Sequence, residues 1–281
     1  MTPVTTAEAL KAAGQRIAPL DARVLLCHAI ERNAAYLIAH SEVQLRAGEH
    51  RTYDALVERR AQGEPVAYLT GEREFYGRTF KVTPAVLIPR PETELLVDLA
   101  LERMPRSGIS RVLELGTGSG CIAIALASER SLSKIVATDQ SLDALAVARR
   151  NAFAVHVGNI AFLQSDWFEG LRRERFDLIV SNPPYVATGD PHLAEGDLRY
   201  EPRTALDGGA DGLDALRAIV KGARAYLEPG GWLLFEHGYD QGAKARALLR
   251  DAAYRDIFSA RDLAGIERVS GGRLTLVDAS Q

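Results

Sequence analysis

Ten residues in the second half of the chain, Phe176-Asp177-Leu178-Ile179-Val180-Ser181-Asn182-Pro183-Pro184-Tyr185, narrow the folds open to it more than any other stretch. Leu178 to Val180 is an apolar run of β-formers, as expected of a buried strand. Two prolines follow, and a residue without an N–H cannot continue a central strand, so the chain is expected to leave the sheet at Asn182. The loop that starts there offers the amide oxygen of Asn182, a backbone stiffened by Pro183 and Pro184, and the aromatic face of Tyr185. Two acceptors and a flat ring suit a planar NH2 group. A tight Asn-Pro turn at a strand end is the plain structural alternative.

Upstream, Arg111-Val112-Leu113-Glu114-Leu115 closes in Gly116-Thr117-Gly118-Ser119-Gly120 and is followed by Cys121 to Ala127. This predicts a strand, a glycine-rich turn and a helix. Glycines let a backbone approach a ligand closely, and a helix N-terminus offers free N–H groups, so a nucleotide or its analogue is expected there. The next strand, Ile135 to Thr138, ends in Asp139. That carboxylate lies about 20 residues beyond the turn, the distance at which an acidic side chain meets a ribose hydroxyl pair. Cys121 stands where a dinucleotide fingerprint has its third glycine, so the fit to a nicotinamide motif is imperfect.

Glycine turn, Asp139 and Asn-Pro-Pro-Tyr together resemble the class I methyltransferases that use S-adenosylmethionine. The resemblance implies a Rossmann-like α/β fold with a seven-stranded, mostly parallel sheet and an antiparallel last strand. It implies cofactor contacts from Gly116, Thr117, Gly118, Ser119, Gly120, Asp139 and Asn182, with Trp167 or Asp166 against the adenine. It also places an amine or amide nitrogen in the Asn182, Pro183, Pro184, Tyr185 loop. Trp167 as an ordinary rim aromatic is the alternative for that residue.

At 281 residues and 47% hydrophobic composition, the chain is expected to form two units. From Thr5 to about Ala61 it reads as helical, with pieces at Ala7 to Gly14, Asp21 to Ile30, Tyr36 to Ile38 and Tyr53 to Arg60. Gly63 to Thr83, where glycine and proline punctuate β-formers, reads as a β-hairpin linker. Pro91 then suits the first turn of a helix over Thr93 to Glu102. The domains expected are a helical unit over 1–74, a linker over 75–92 and a catalytic unit over 93–281. His28, His40 and His50 have no metal-ligand spacing and read as ordinary packing or surface residues, so no metal is expected. Cys27 and Cys121 are too few for a disulfide framework. A formal charge of −3 gives no global basic footprint. The N-terminal stretch has neither a signal-peptide nor a membrane-span pattern, so the cytoplasm is the expected setting.

Four motifs in order narrow the resemblance: Arg60 to Gly71, Leu87-Ile88-Pro89-Arg90-Pro91-Glu92-Thr93-Glu94, Leu115 to Gly120, and Ser181 to Tyr185. Over nearly the whole chain it is similar to the release factor glutamine methyltransferases of the HemK type. That likeness implies N5-methylation of the glutamine in the Gly-Gly-Gln motif of peptide chain release factors, with S-adenosylhomocysteine as the second product. Asn182 and Pro183 would accept the amide N–H groups and Tyr185 would pack on the amide plane. It further implies a helical unit that recognises substrate, a monomer, and no stable binding of nucleic acid or membrane. A methyltransferase acting on a base amine shares Asn-Pro-Pro-Tyr, and a non-catalytic cofactor-binding module is the alternative outside enzymes.

Val186 to Asp207 is polar, without a period, and reads as a cover over bound substrate. Beyond it the expected elements are helix Gly212 to Leu227, strand Trp232 to Glu236, helix Gln241 to Ala252, a short strand at Ile257 to Ala260 and a last strand at Leu274 to Val277. The last two strands have no helix between them, which predicts an antiparallel pair.

Overall fold

The protein, seen in a computed structural model that describes residues 4–172 and 174–275, divides into two compact units. One comprises Met1–Glu72 and Ala194–Tyr200, the other Arg73–Leu193 and Glu201–Gln281.

The first unit is helical. Helix α1 (Thr6–Ala13) starts in a capping box, in which Thr5 Oγ1 accepts from Glu8 N at 3.2 Å and Glu8 accepts from Thr5 N at 2.9 Å. α2 (Pro19–Ile30) has proline in its first turn, and α3 (Ala34–Ala39) is capped by Asn33. α4 (Ala47–Ala61) begins earlier than the sequence pattern suggests, because Glu49 reaches back to Arg46 N at 2.8 Å and caps a polar first turn. Leu25, Leu26 and Tyr53 form the centre of its core, with the Tyr53 hydroxyl donating to Ala22 O. Val66 to Thr70, read as part of the β-hairpin linker, is instead α5 (Val66–Thr70). Pro65 opens it and Gly71, at φ 73°, closes it, so punctuation read as turns is helix capping. Segment 194–200 joins these helices: Arg60 bridges Asp21 at 2.7 Å and Asp197 at 2.8 Å, and Tyr200 and Arg199 both donate to Gln62 O.

From Arg73 the second unit opens in a hairpin whose strands are β1 (Glu72–Phe75) and β2 (Arg78–Lys81), turned by Tyr76 and Gly77 at positive φ. The hairpin was expected over 75–92 as a linker. Its Phe75 and Phe80 are instead buried in the core of this unit, and Asn151 bonds both the N–H and the carbonyl of Lys81. There follow α6 (Glu94–Arg103), β3 (Arg111–Leu115), α7 (Cys121–Glu129), β4 (Lys134–Asp139), α8 (Leu142–Val155), β5 (Ile160–Gln164), β6 (Phe176–Ser181), α9 (Asp214–Tyr226), β7 (Leu227–Glu236), α10 (Gly242–Asp251), β8 (Tyr254–Arg261) and β9 (Glu267–Leu274).

Seven strands make one sheet in the order β5-β4-β3-β6-β7-β9-β8, parallel except that β9 runs against both neighbours. Residues alternate between its faces: Val112 joins a core with Leu96, Val97 and Ile124, while Leu113 and Leu115 join one with Leu216, Ile219 and Leu249. The antiparallel last strand is as expected, but it begins well before Leu274, and residues 276 and 277 of the expected strand lie outside the described residues. Ser270-Gly271-Gly272 hides it from a propensity reading. A Cβ on Gly271 would stand 2.8 Å from the backbone oxygen of Leu233 on β7 and 2.8 Å from Phe258 Cε1 on the other side, so close packing there demands glycine. Among the described residues no helix is long and apolar enough to cross a membrane.

Candidate active site

Sheet register brings the motifs together. The chain turns outward from β3 to β4 and β5, then returns to β6 on the other side, which opens a crevice at the C-terminal ends of β3 and β6. Leu115 pairs with Thr138 on one side and Ser181 on the other, and Ser181 pairs with Phe235. The glycine turn, Asp139, Asn182 and Glu236 therefore leave neighbouring strands at the same level. A cavity of about 670 Å³ lies over these ends.

On one side the cavity is lined by Gly116, Thr117, Gly118, Ser119, Asp139, Asp166 and Trp167. Gly116 and Gly118 sit at φ 72° and 55°, and a Cβ on either would meet nothing within 4 Å. Thr117 donates its N–H to Thr138 O and its hydroxyl to Glu114 Oε2, which pins the turn to the sheet. Asp139 accepts from Gly118 N and from Ser141 N, each at 2.9 Å. Burial nevertheless holds its carboxyl above the ordinary range, the backbone N–H bonds opposing it. Trp167 is at φ 45°, a strained conformation for a bulky residue, held by Ser165, whose hydroxyl donates to Trp167 O and accepts from Gly170 N. Gly120 does not line the cavity, and its missing Cβ would stand 3.0 Å from both Ala148 Cβ and Ile124 Cδ1, so it serves the packing of α7 on α8.

On the other side stand Asn182 and Pro184. Pro183 is buried and Tyr185 half-buried, and neither lines the cavity. The Tyr185 hydroxyl donates to Glu236 Oε1 at 3.3 Å, its carbonyl accepts from Gln241 Nε2 at 2.9 Å, and burial raises its phenol pKa. Asn182 Nδ2 donates to Thr93 Oγ1 at 3.1 Å, and that hydroxyl donates to Glu236 Oε2 at 2.6 Å. Glu236 is fully buried at the end of β7, and burial pushes its carboxyl up to about 7.

Several contributors were not singled out from the sequence. Glu114, buried in β3, accepts from Thr117 and from Ala123 N and so caps α7 from the sheet; burial pushes it up to about 8. Glu201, from the long segment beyond Tyr185, accepts from Ile88 N at 3.0 Å and pairs with Arg90. It thereby fixes the strap through Leu87, Pro89 and Arg90 that forms a third wall of the cavity. Val186 to Asp207, read as a cover without assigned residues, supplies lining from Pro202, Thr204 and Asp207, and Gly208 just beyond it also lines the cavity. The readable signal was a carboxylate at an apolar strand, as in Leu113-Glu114-Leu115 and Leu234-Phe235-Glu236: a charge is kept there only when it has partners.

A family model described as the PrmC N-terminal domain matches residues 5–71, and one described as the methyltransferase small domain matches residues 92–196. The release factor glutamine methyltransferase of Xylella fastidiosa (strain 9a5c) is 51% identical over 264 residues, covering 94% of this chain and 96% of its own. That of Burkholderia pseudomallei (strain K96243) is 52% identical over 279 residues, covering 97% of each chain. Among solved structures, a methyltransferase from Pyrococcus furiosus matches with a TM-score of 0.55 at 17% identity, covering 78% of this chain and 98% of its own, a likeness of fold.

Proposed function

Because the chain belongs to the release factor glutamine methyltransferase family, we propose that it methylates the N5 amide nitrogen of the glutamine in the Gly-Gly-Gln motif of peptide chain release factors. S-adenosylmethionine is the proposed donor, S-adenosylhomocysteine the second product and the cytoplasm the setting. One observation carries the reading: a single cavity is bordered by Gly116, Gly118, Asp139 and Trp167 on one side and by Asn182 on the other.

The residues fit the donor. Gly116 and Gly118 leave open the space that side chains would fill. Each Asp139 oxygen accepts one backbone N–H and keeps a lone pair for a ribose hydroxyl. Trp167 gives the adenine an aromatic face. When bound, S-adenosylmethionine supplies an electrophilic methyl group, so no covalent nucleophile is asked of the protein.

The harder task is the acceptor, because a glutamine amide nitrogen shares its lone pair with the carbonyl. Asn182 Oδ1 and the Pro183 carbonyl are assigned its two N–H groups, which holds the nitrogen in place and favours a pyramidal geometry. Tyr185 is assigned the face of the amide plane, with its hydroxyl anchored on Glu236. The helical unit, taken as residues 1–74, is assigned recognition of the release factor, and the proton leaving the nitrogen goes to water.

Separate incubations of labelled S-adenosylmethionine with release factor and with RNA test the reading. Label in the release factor is expected. Label in RNA alone would overturn the substrate assignment, and turnover of neither would leave a binding module.

A further inference from the structure

We propose, given the methyl-transfer reading above, that Thr93 and Glu236 are positioning residues that lock the Asn182 amide with its oxygen, rather than its nitrogen, toward the acceptor. A side-chain amide has two ends of similar size and opposite hydrogen-bonding sense. Only the oxygen receives an N–H from substrate; the reversed amide sets N–H against N–H.

The Thr93 hydroxyl decides which end faces the cavity. It has one proton, and Glu236 Oε2 stands 2.6 Å from its oxygen. An ionised carboxylate accepts and never donates, so the proton points at Glu236 and a lone pair is left for Asn182. The NH2 end satisfies that lone pair, at 3.1 Å. Glu236 Oε1 meanwhile takes the Tyr185 hydroxyl. Both ends of Asn-Pro-Pro-Tyr are thus oriented from one buried carboxylate, and every donor in the chain runs toward it. The Ser181 to Phe235 pairing explains the arrangement, since Asn182 and Glu236 are the next residues along each strand.

Protonation reverses the logic. A neutral Glu236 becomes a donor, the Thr93 hydroxyl is freed to donate to Asn182, and the amide oxygen is drawn out of the cavity. Burial holds this carboxyl up, at about 7; the bonds from Thr93 and Tyr185 and the charge of Arg268 pull it down, and Glu92 pushes it up. Arg268 is itself paired with Asp262 at 3.1 Å. From α7 the buried Cys121 thiol faces the same region, and burial raises its pKa. His237, next along the chain, is held low by burial and bonds Ser270 instead.

The test uses three variants of the full chain: Thr93→Ser keeps the hydroxyl, Thr93→Val keeps the shape without it, and Glu236→Gln replaces an acceptor with a group able to donate. With release factor as substrate, Thr93→Ser is expected within about threefold of the parent kcat, while Thr93→Val and Glu236→Gln fall about 10²-fold, the size of losing one oriented hydrogen-bonding group. Affinity for S-adenosylmethionine by calorimetry is expected to stay within about threefold, since the lost interaction faces the acceptor. In NMR spectra of the cofactor-free protein, the Asn182 side-chain amide, assigned by its loss in Asn182→Asp, is expected to titrate with a midpoint near 7 in the parent and to be flat in Glu236→Gln.

A folded Thr93→Val with parental kcat, or an Asn182 amide indifferent to pH in the parent, overturns the proposal. If Thr93→Val fails to fold, the titration decides alone. If the parent places no methyl on release factor, the functional reading falls, while the titration still decides the orientation of the amide.

Discussion

Single carboxyls at the strand ends carry opposing demands. Burial raises Glu114 to about 8 and Glu236 to about 7, well above the unfolded value of about 4.3. Below that unfolded value both states hold the proton and the contribution to stability is complete. As pH rises through the folded values, buried groups must ionise and the contribution is lost. The melting temperature is therefore expected to fall between about pH 5 and pH 8, and to fall less in Glu114→Gln; a profile that is flat or rising in this window contradicts the assignment. Carboxyls held low, such as Asp262 by the Ile266 N–H and Glu267 by Arg246, lose their stabilising effect only on the acid side of their ordinary range, outside this window. Turnover has the reverse dependence, because Asn182 needs Glu236 ionised. Asp139 belongs to the same scale. Asp139→Ala removes the acceptor for Gly118 N and Ser141 N as well as the proposed ribose partner, and is expected to cost about 1–3 kcal/mol of affinity for S-adenosylmethionine by calorimetry. Undiminished affinity in a folded variant takes Asp139 out of that role.

Loops at the sheet end work as pairs of elements. Gly208 lies against the Asn-Pro-Pro-Tyr loop so closely that a Cβ would stand 2.8 Å from Pro184 O and 2.9 Å from Tyr185 Cα. Backbone cannot yield there as a side-chain tip can. Gly208→Ala is expected to lower kcat at least about tenfold by displacing Asn182, with cofactor affinity nearly kept; parental kcat in single-turnover assays would show that the two loops are not coupled. The strands β3, β4 and β6 were legible because apolar runs ended in glycine, aspartate or proline, signals that act within a few residues. Glycine in β9 and the short α5 were not legible, because the first is demanded by neighbours distant in sequence and the second borrows residues that usually mark turns. For the site, local motifs gave Gly116, Gly118, Asp139, Trp167 and Asn182, which all line the cavity. Thr93, Glu201 and Glu236 depend on contacts across more than a hundred residues or nearly so, and Gly120 has the spacing of a ligand-facing residue but a packing environment.

At the scale of the whole molecule, the helical unit also holds residues 194–200. A fragment starting at Arg73 keeps the buried Phe75 and Phe80 but leaves Asp197 without Arg60 and Tyr200 without the Gln62 carbonyl. It is expected to fold and bind S-adenosylmethionine while methylating release factor poorly; full activity of the fragment would remove the helical unit from substrate recognition. The acidic chain is poorly equipped for the counterion release that drives nucleic-acid binding, which favours a protein acceptor. The most direct measurement is peptide mass spectrometry of a release factor after incubation with the full chain and S-adenosylmethionine, beside an RNA control. The account predicts one added methyl group on the glutamine of the Gly-Gly-Gln segment and none on RNA; an unmodified glutamine with methylated RNA would contradict it.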